Sequence, residues 1–80
     1  MNEERVNSII SEINTRFESV NDMNELYLLK SEYLGKKGII TELQSGIKDA
    51  TDKKSYGIMI NKVRTRFNEL YYEYQKKIEN

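Results

Sequence analysis

Apolar residues recur at alternating steps of three and four along most of this 80-residue chain. This spacing places them on one face of an α-helix, whereas a half-buried strand would need alternation at every second position. Asparagine, aspartate and glycine interrupt the pattern, and the chain contains no proline. The pattern therefore predicts an all-α fold without β-sheet. At this length we expect one small domain covering residues 1–80.

Three apolar stripes predict the helices. The first is Val6, Ile10, Ile13, Phe17 and Val20, the second is Leu26, Leu29, Tyr33, Lys36, Ile40, Leu43 and Ile47, and the third is Tyr56, Ile60, Val63, Phe67, Leu70, Tyr74 and Ile78. Asp22, with Glu25 three residues later, is typical of a helix N-cap. The two longer helices predict an antiparallel helical hairpin of the coiled-coil type, with a turn near residues 49–52. We expect the shorter first helix to pack at the open end of this hairpin, opposite the turn.

Two glycines, Gly35 and Gly38, lie inside the second stripe. Each glycine costs a helix roughly 1 kcal/mol relative to alanine. The stripe keeps its phase on both sides of them, however, which favours one helix over about residues 22–48, kinked if at all near the glycines. Lys36 would then be the one polar member of the seam, with its ammonium group extended to water.

The net charge of zero conceals an uneven distribution. Residues 1–29 contain two basic and six acidic side chains, and residues 30–66 contain nine basic and four acidic ones. The remaining residues contain two basic and three acidic side chains. In a hairpin, the basic segment would form the distal half, next to the turn, and the acidic residues would gather at the open end. Lysines on a protruding basic end suit the phosphates of a nucleic acid. The candidate contacts are Lys36, Lys37, Lys48, Lys53, Lys54 and Lys62.

Other interpretations of these lysines remain open on charge alone. Lysines on the outer faces of paired helices often serve solvation only. Glycines on either side of Lys36 and Lys37 could allow a phosphate to approach the backbone, but they could equally allow close helix packing. Lys76 and Lys77, by contrast, lie among acidic residues at the open end, so they offer an internal control for the basic half.

The aromatic members of the stripes have two interpretations as well. An exposed aromatic ring can stack on a nucleic-acid base, whereas a ring on an apolar stripe more often belongs to the core. We expect core positions for these residues, which are Tyr33, Tyr56, Phe67 and Tyr74.

The residue inventory also limits the chemistry that we expect. The chain has no histidine and no cysteine, so the commonest general base and the best nucleophile are missing. We therefore expect no catalytic residue and no metal or cofactor site in these residues. No apolar run approaches the roughly 20 residues of a membrane span, and the acidic first residues do not resemble a signal peptide. The lack of cysteine fits a reducing compartment, and a cytoplasmic location is expected.

Two motifs carry a resemblance to a known family. They are Tyr33-Leu34-Gly35-Lys36-Lys37-Gly38-Ile39-Ile40-Thr41 and, further along, Gly57-Ile58-Met59-Ile60-Asn61. Together they resemble the signature of the N-terminal helical arm of the bacterial phenylalanine–tRNA ligase alpha subunit, over about residues 26–67. The resemblance implies a tRNA-binding arm that precedes a class II catalytic domain and contacts the body of tRNA(Phe). The chain would then be a fragment of a larger synthetase subunit.

The same resemblance implies the partners and cofactors of the parent enzyme. A beta subunit and a second alpha subunit would complete a heterotetramer, and ATP and magnesium would serve the catalytic domain, with neither membrane nor DNA involved. Family members commonly carry prolines in the turn before the last helix, whereas this chain has Asp49-Ala50-Thr51-Asp52. This departure leaves the geometry of the basic tip open.

A second hypothesis is a structural coiled-coil module that binds another protein and has no nucleic-acid role. Its interface would consist of apolar residues outside the main stripes, which we expect to be exposed. These residues are Leu28, Leu34, Ile39 and Met59.

Overall fold

The computed structural model describes residues 3–79. Four α-helices and one 3-10 helix follow one another in this range: α1 Glu3–Glu18, α2 Met23–Leu34, α3 Ile39–Ser45, the 3-10 helix Gly46–Asp49, and α4 Lys53–Glu79. These described residues contain no strand. The predicted all-α class is confirmed.

Helices α2 and α3 together run antiparallel to α4. The ring of Tyr33, at the end of α2, lies 5.2 Å from the ring of Phe67. Nearer the turn, the Tyr56 hydroxyl donates a hydrogen bond of 2.9 Å to the carbonyl oxygen of Leu43. Residue numbers thus rise along one arm as they fall along the other, which confirms the predicted hairpin.

Helix α1 packs beside α4 and runs in the same direction. The Phe17 ring lies 5.0 Å from Phe67 and 5.5 Å from Tyr74, so the end of α1 lies at the open end, as predicted. At its other end, Arg5 lines the same surface groove as Tyr56. Helix α1 therefore extends from the open end well towards the turn.

The prediction of one helix over residues 22–48 is wrong, because α2 ends at Leu34 and α3 begins at Ile39. The Gly38 N–H donates to the Gly35 carbonyl over 2.9 Å, which closes a tight turn over residues 35–38. We name this segment the lysine turn. Lys36 is exposed in this turn and does not lie on the seam. Tyr33 and Ile40 are both buried, so the helical spacing of buried residues continues across the break in the helix.

A single cluster of buried side chains joins all four α-helices. Its members are Val6, Ile9, Ile13, Phe17, Leu26, Leu29, Tyr33, Ile40, Val63, Phe67 and Leu70. The first apolar stripe predicted from the sequence included Ile10 and not Ile9. In the structure Ile9 is buried, whereas Ile10 is only partly buried. The reason is that α1 contacts both arms of the hairpin. Ile9 lines a groove with Leu43 of α3, whereas Ile10 lines another with Ile58 of α4.

Aspartate side chains begin two of the helices. Asp22 accepts a 2.8 Å hydrogen bond from the Glu25 N–H, which confirms the predicted N-cap of α2. Asp52 accepts a 3.1 Å hydrogen bond from the Ser55 N–H at the start of α4. Each bond satisfies an N–H group that has no partner within its helix. The turn near residues 49–52 is therefore present, and an aspartate cap begins α4 where no proline is available.

Candidate nucleic-acid interface

The six predicted lysines are all exposed, and we call them the distal lysines. The structure divides them into two groups, with Lys62 apart from both. Lys48 lies in the 3-10 helix, and Lys53 and Lys54 are the first residues of α4, so these three lie at the tip of the hairpin. Lys62 is nine residues further along α4 than Lys53, which corresponds to about 14 Å. The second group, Lys36 and Lys37, occupies the lysine turn.

The lysine turn lies partway along the hairpin. It falls between the contact of Tyr33 with Phe67 and the contact of Leu43 with Tyr56. Lys36 and Lys37 are the two central residues of this turn. The hydrogen bond between the two flanking glycines holds their backbones, and their side chains extend into solvent.

Thr41 contributes a second hydrogen bond to the lysine turn. Its Oγ1 donates to the Gly35 carbonyl oxygen over 2.7 Å, so that oxygen accepts from two donors. The sequence interpretation of the motif did not include Thr41 in the site. The feature that could have indicated this contact is the tendency of serine and threonine hydroxyls to form hydrogen bonds with nearby backbone groups.

Lysines at the open end differ from the distal lysines in their intramolecular contacts. At the open end, the Lys76 Nζ lies 4.7 Å from the centre of the Tyr72 ring, and the Lys77 Nζ lies 4.9 Å from that of Tyr74. Within residues 3–79, the distal lysines form neither an ion pair nor such a ring contact. Their charges are therefore available to an external anion.

The expectation that the acidic residues gather at the open end is wrong for the start of α1. Glu3 and Glu4 form its first turn, and the adjacent Arg5 lies in the groove beside Tyr56. The reason is the parallel packing of α1 and α4, which carries the beginning of α1 towards the turn. Glu3 and Glu4 therefore lie towards the turn of the hairpin and not at its open end.

The aromatic residues of the stripes belong to the packing of the helices. Tyr33 and Phe67 are fully buried, and Tyr56 and Tyr74 are partly buried. Burial and the hydrogen bond to Glu12 raise the pKa of Tyr33 well above its ordinary value. A buried neutral hydroxyl suits a structural role better than base stacking.

The described residues present neither a cluster of metal ligands nor a membrane-spanning helix. Among residues 3–79, histidine, cysteine, aspartate and glutamate form no group of three that could hold a metal ion. No helix in the part of the chain that the structure describes is both long enough and apolar enough to cross a membrane.

Similarity to known proteins identifies the family. A family model described as "Aminoacyl tRNA synthetase class II, N-terminal domain" matches residues 21–80. The chain belongs to this family. Both motifs that carried the resemblance lie inside the matched range, so the predicted family is confirmed.

Curated relatives of this N-terminal domain are phenylalanine–tRNA ligase alpha subunits. The chain is 38% identical over 68 residues to that of Petrotoga mobilis, which covers 81% of the chain and 20% of the relative. It is 33% identical over 76 residues to that of Thermotoga neapolitana, which covers 92% of the chain and 23% of the relative. It is 30% identical over 78 residues to that of Aquifex aeolicus, which covers 95% of the chain and 23% of the relative. The chain thus spans about a fifth of the length of these relatives. No solved structure matches the chain.

Proposed function

We propose that this chain is the tRNA-binding N-terminal arm of a phenylalanine–tRNA ligase alpha subunit. In this proposal residues 1–80 act as one arm domain, and the distal lysines contact the phosphates of tRNA(Phe). The observation that carries the proposal is the exposure of these lysines without intramolecular charge partners among residues 3–79, in a chain of this synthetase family.

The distal lysines lie at separate places on the hairpin, so each would contact a different part of the tRNA backbone. Lys53 and Lys62 are separated by nine residues of α4, or about 14 Å. At 3.6 residues per turn this separation is about two and a half turns of helix, so the two side chains point to opposite faces of α4 and would contact different phosphates. Lysine suits such contacts because it neutralises phosphate without requiring a particular base.

The reaction itself belongs elsewhere in this proposal. A class II catalytic domain of the same alpha subunit would join phenylalanine to tRNA(Phe) with ATP and magnesium, in the cytoplasm. A beta subunit and a second alpha subunit would complete the heterotetramer. The arm would hold the body of the tRNA so that the acceptor end reaches the catalytic domain.

Titration with tRNA(Phe) at two salt concentrations tests the proposal. We expect affinity to fall steeply as salt rises, because phosphate contacts release counterions. Replacing the distal lysines with glutamine should weaken binding and flatten the salt dependence, by about one unit of slope or less per lost contact. The control is the pair Lys76→Gln and Lys77→Gln, which should change neither the affinity for tRNA(Phe) nor its salt dependence. Equal effects of both sets in folded variants would refute the proposed interface.

The protein-interaction hypothesis receives less support from the structure. Leu28 is 65% exposed and Ile39 is 38% exposed. Leu34 and Met59, however, are partly buried against the core, so the prediction that they are exposed is wrong. Their apolar surface is covered because the two arms of the hairpin and α1 pack around one shared core. Salt-independent self-association without tRNA binding would nevertheless favour this second hypothesis.

A further inference from the structure

We infer that Thr41 is a positioning residue, whose hydroxyl holds the lysine turn in the conformation that presents Lys36 and Lys37 to RNA phosphates. This inference rests on the proposed function. It concerns a residue that contacts no RNA itself and acts through the backbone of the turn.

The hydrogen bonds around Gly35 and Gly38 connect the turn to α3. The Gly35 carbonyl oxygen accepts from Thr41 Oγ1 at 2.7 Å and from the Gly38 N–H at 2.9 Å. The Gly38 carbonyl oxygen accepts from the Glu42 N–H, also at 2.9 Å. Thr41 therefore ties the first residue of the turn to the helix that follows its last residue.

Close packing holds the other side of the turn. A Cβ atom on Gly38 would lie 2.5 Å from the carbonyl group of Tyr33, so the turn rests directly against the end of α2. The Tyr33 hydroxyl in turn donates a 2.8 Å hydrogen bond to Glu12 of α1. The backbone of the turn is thus held by α2 and α3, and the Tyr33 side chain connects this end of α2 to α1. Both lysine side chains remain in solvent.

A turn that is ordered before binding loses less conformational entropy when it meets its ligand. Removing the Thr41 hydroxyl leaves the Gly35 carbonyl with one donor and weakens the tie to α3. We expect the turn to become more mobile and its affinity for RNA to fall about fivefold, as for the loss of one hydrogen bond.

Three variants separate positioning from a general effect on the fold. Thr41→Val keeps the shape of the side chain and removes the donor, whereas Thr41→Ser keeps the hydroxyl. Thr15→Val is the matched control, because the Thr15 hydroxyl donates to the Ser11 carbonyl at 3.1 Å within α1. The control loses a local hydrogen bond without altering the lysine turn.

The first measurement is NMR relaxation of the Lys36 and Lys37 amides in the free 80-residue chain. Thr41→Val should lower their order parameters, and Thr41→Ser should restore them. The Thr15→Val control should leave them unchanged. Unchanged order in Thr41→Val would overturn the inference without reference to RNA.

The second measurement is a double-mutant cycle with tRNA(Phe) as the probe. Thr41→Val should weaken binding in the original chain, but not in a background that carries Lys36→Gln and Lys37→Gln, because the lysines that it positions are then absent. An equal loss in both backgrounds would overturn the inference while leaving the proposed function intact. Absence of salt-dependent tRNA binding by the original chain would instead overturn the proposed function.

Discussion

The Tyr33 hydroxyl donates a 2.8 Å hydrogen bond to the Glu12 carboxylate, which connects α2 to α1 just before the lysine turn. The ring of Tyr33 is fully buried and lies 5.2 Å from Phe67 of α4. One side chain therefore contacts two neighbouring helices, through its ring on one and its hydroxyl on the other. This arrangement makes Tyr33 a central element of the three-way packing that supports the turn.

We expect Tyr33→Phe to lower the free energy of unfolding by about 1–2 kcal/mol, because the bond to a carboxylate is lost while the ring packing is kept. Urea denaturation followed by circular dichroism measures the change. Tyr72→Phe is the matched control, since Tyr72 is 60% exposed and removal of its hydroxyl should have little effect. Equal losses in both variants would contradict the assigned role of the hydrogen bond.

Alkaline pH should destabilise the chain partly through Tyr33. Burial and Glu12 raise the pKa of Tyr33 above its ordinary value of 10.0, so the unfolded chain loses this proton before the folded chain does. The stabilising contribution is therefore complete below about pH 10 and declines as the pH rises towards the folded-state pKa. Thermal unfolding across this range should show a shallower decline for Tyr33→Phe. An identical pH profile for the variant would contradict the prediction.

Two glycine substitutions should have opposite effects. Gly38→Ala should destabilise the chain by about 1–3 kcal/mol, because the new Cβ would lie 2.5 Å from the Tyr33 carbonyl group and force a backbone shift. Gly57→Ala should stabilise it by about 0.5–1 kcal/mol, since Gly57 lies within α4 and its Cβ would make an ordinary contact of 3.6 Å with Ile47. Chemical denaturation of both variants checks the signs. Destabilisation by Gly57→Ala would show that α4 cannot accept a side chain there.

The aromatic centre of the core should dominate stability. Phe67 is fully buried and packs against Phe17, Tyr33 and Tyr71. We expect Phe67→Ala to cost about 3–5 kcal/mol, from lost burial and the cavity that remains. Leu28→Ala serves as the control because Leu28 is 65% exposed. Similar unfolding midpoints for the two variants would contradict the proposed core.

We expect the 80-residue chain alone to support neither activation of phenylalanine nor charging of tRNA. It has no histidine or cysteine, and the proposal places the chemistry in a separate catalytic domain. ATP–pyrophosphate exchange measures the first step. In a complete synthetase, deletion of this arm should reduce tRNA charging far more than amino-acid activation. Equal loss of both steps would indicate that the arm supports the fold of the enzyme.

Residue order alone was sufficient to predict the all-α class, the hairpin, the cap at Asp22 and the family. These features follow from local physics and short motifs: helical spacing of apolar residues, an aspartate beside free N–H groups, and glycines at characteristic places. The break at the lysine turn was not predictable in the same way, because the helical spacing of apolar residues continues across it: Tyr33 and Ile40 are both buried on either side of the break.

The direction of α1 relative to the hairpin became visible only in the folded molecule. The parallel packing of α1 on α4 places Glu3 and Glu4 towards the turn and buries Ile9. Likewise, the bond from Thr41 to Gly35 forms only because the helix is interrupted at the lysine turn. Contacts of this kind depend on the direction and separation of whole elements, which the spacing of residues along one chain does not encode.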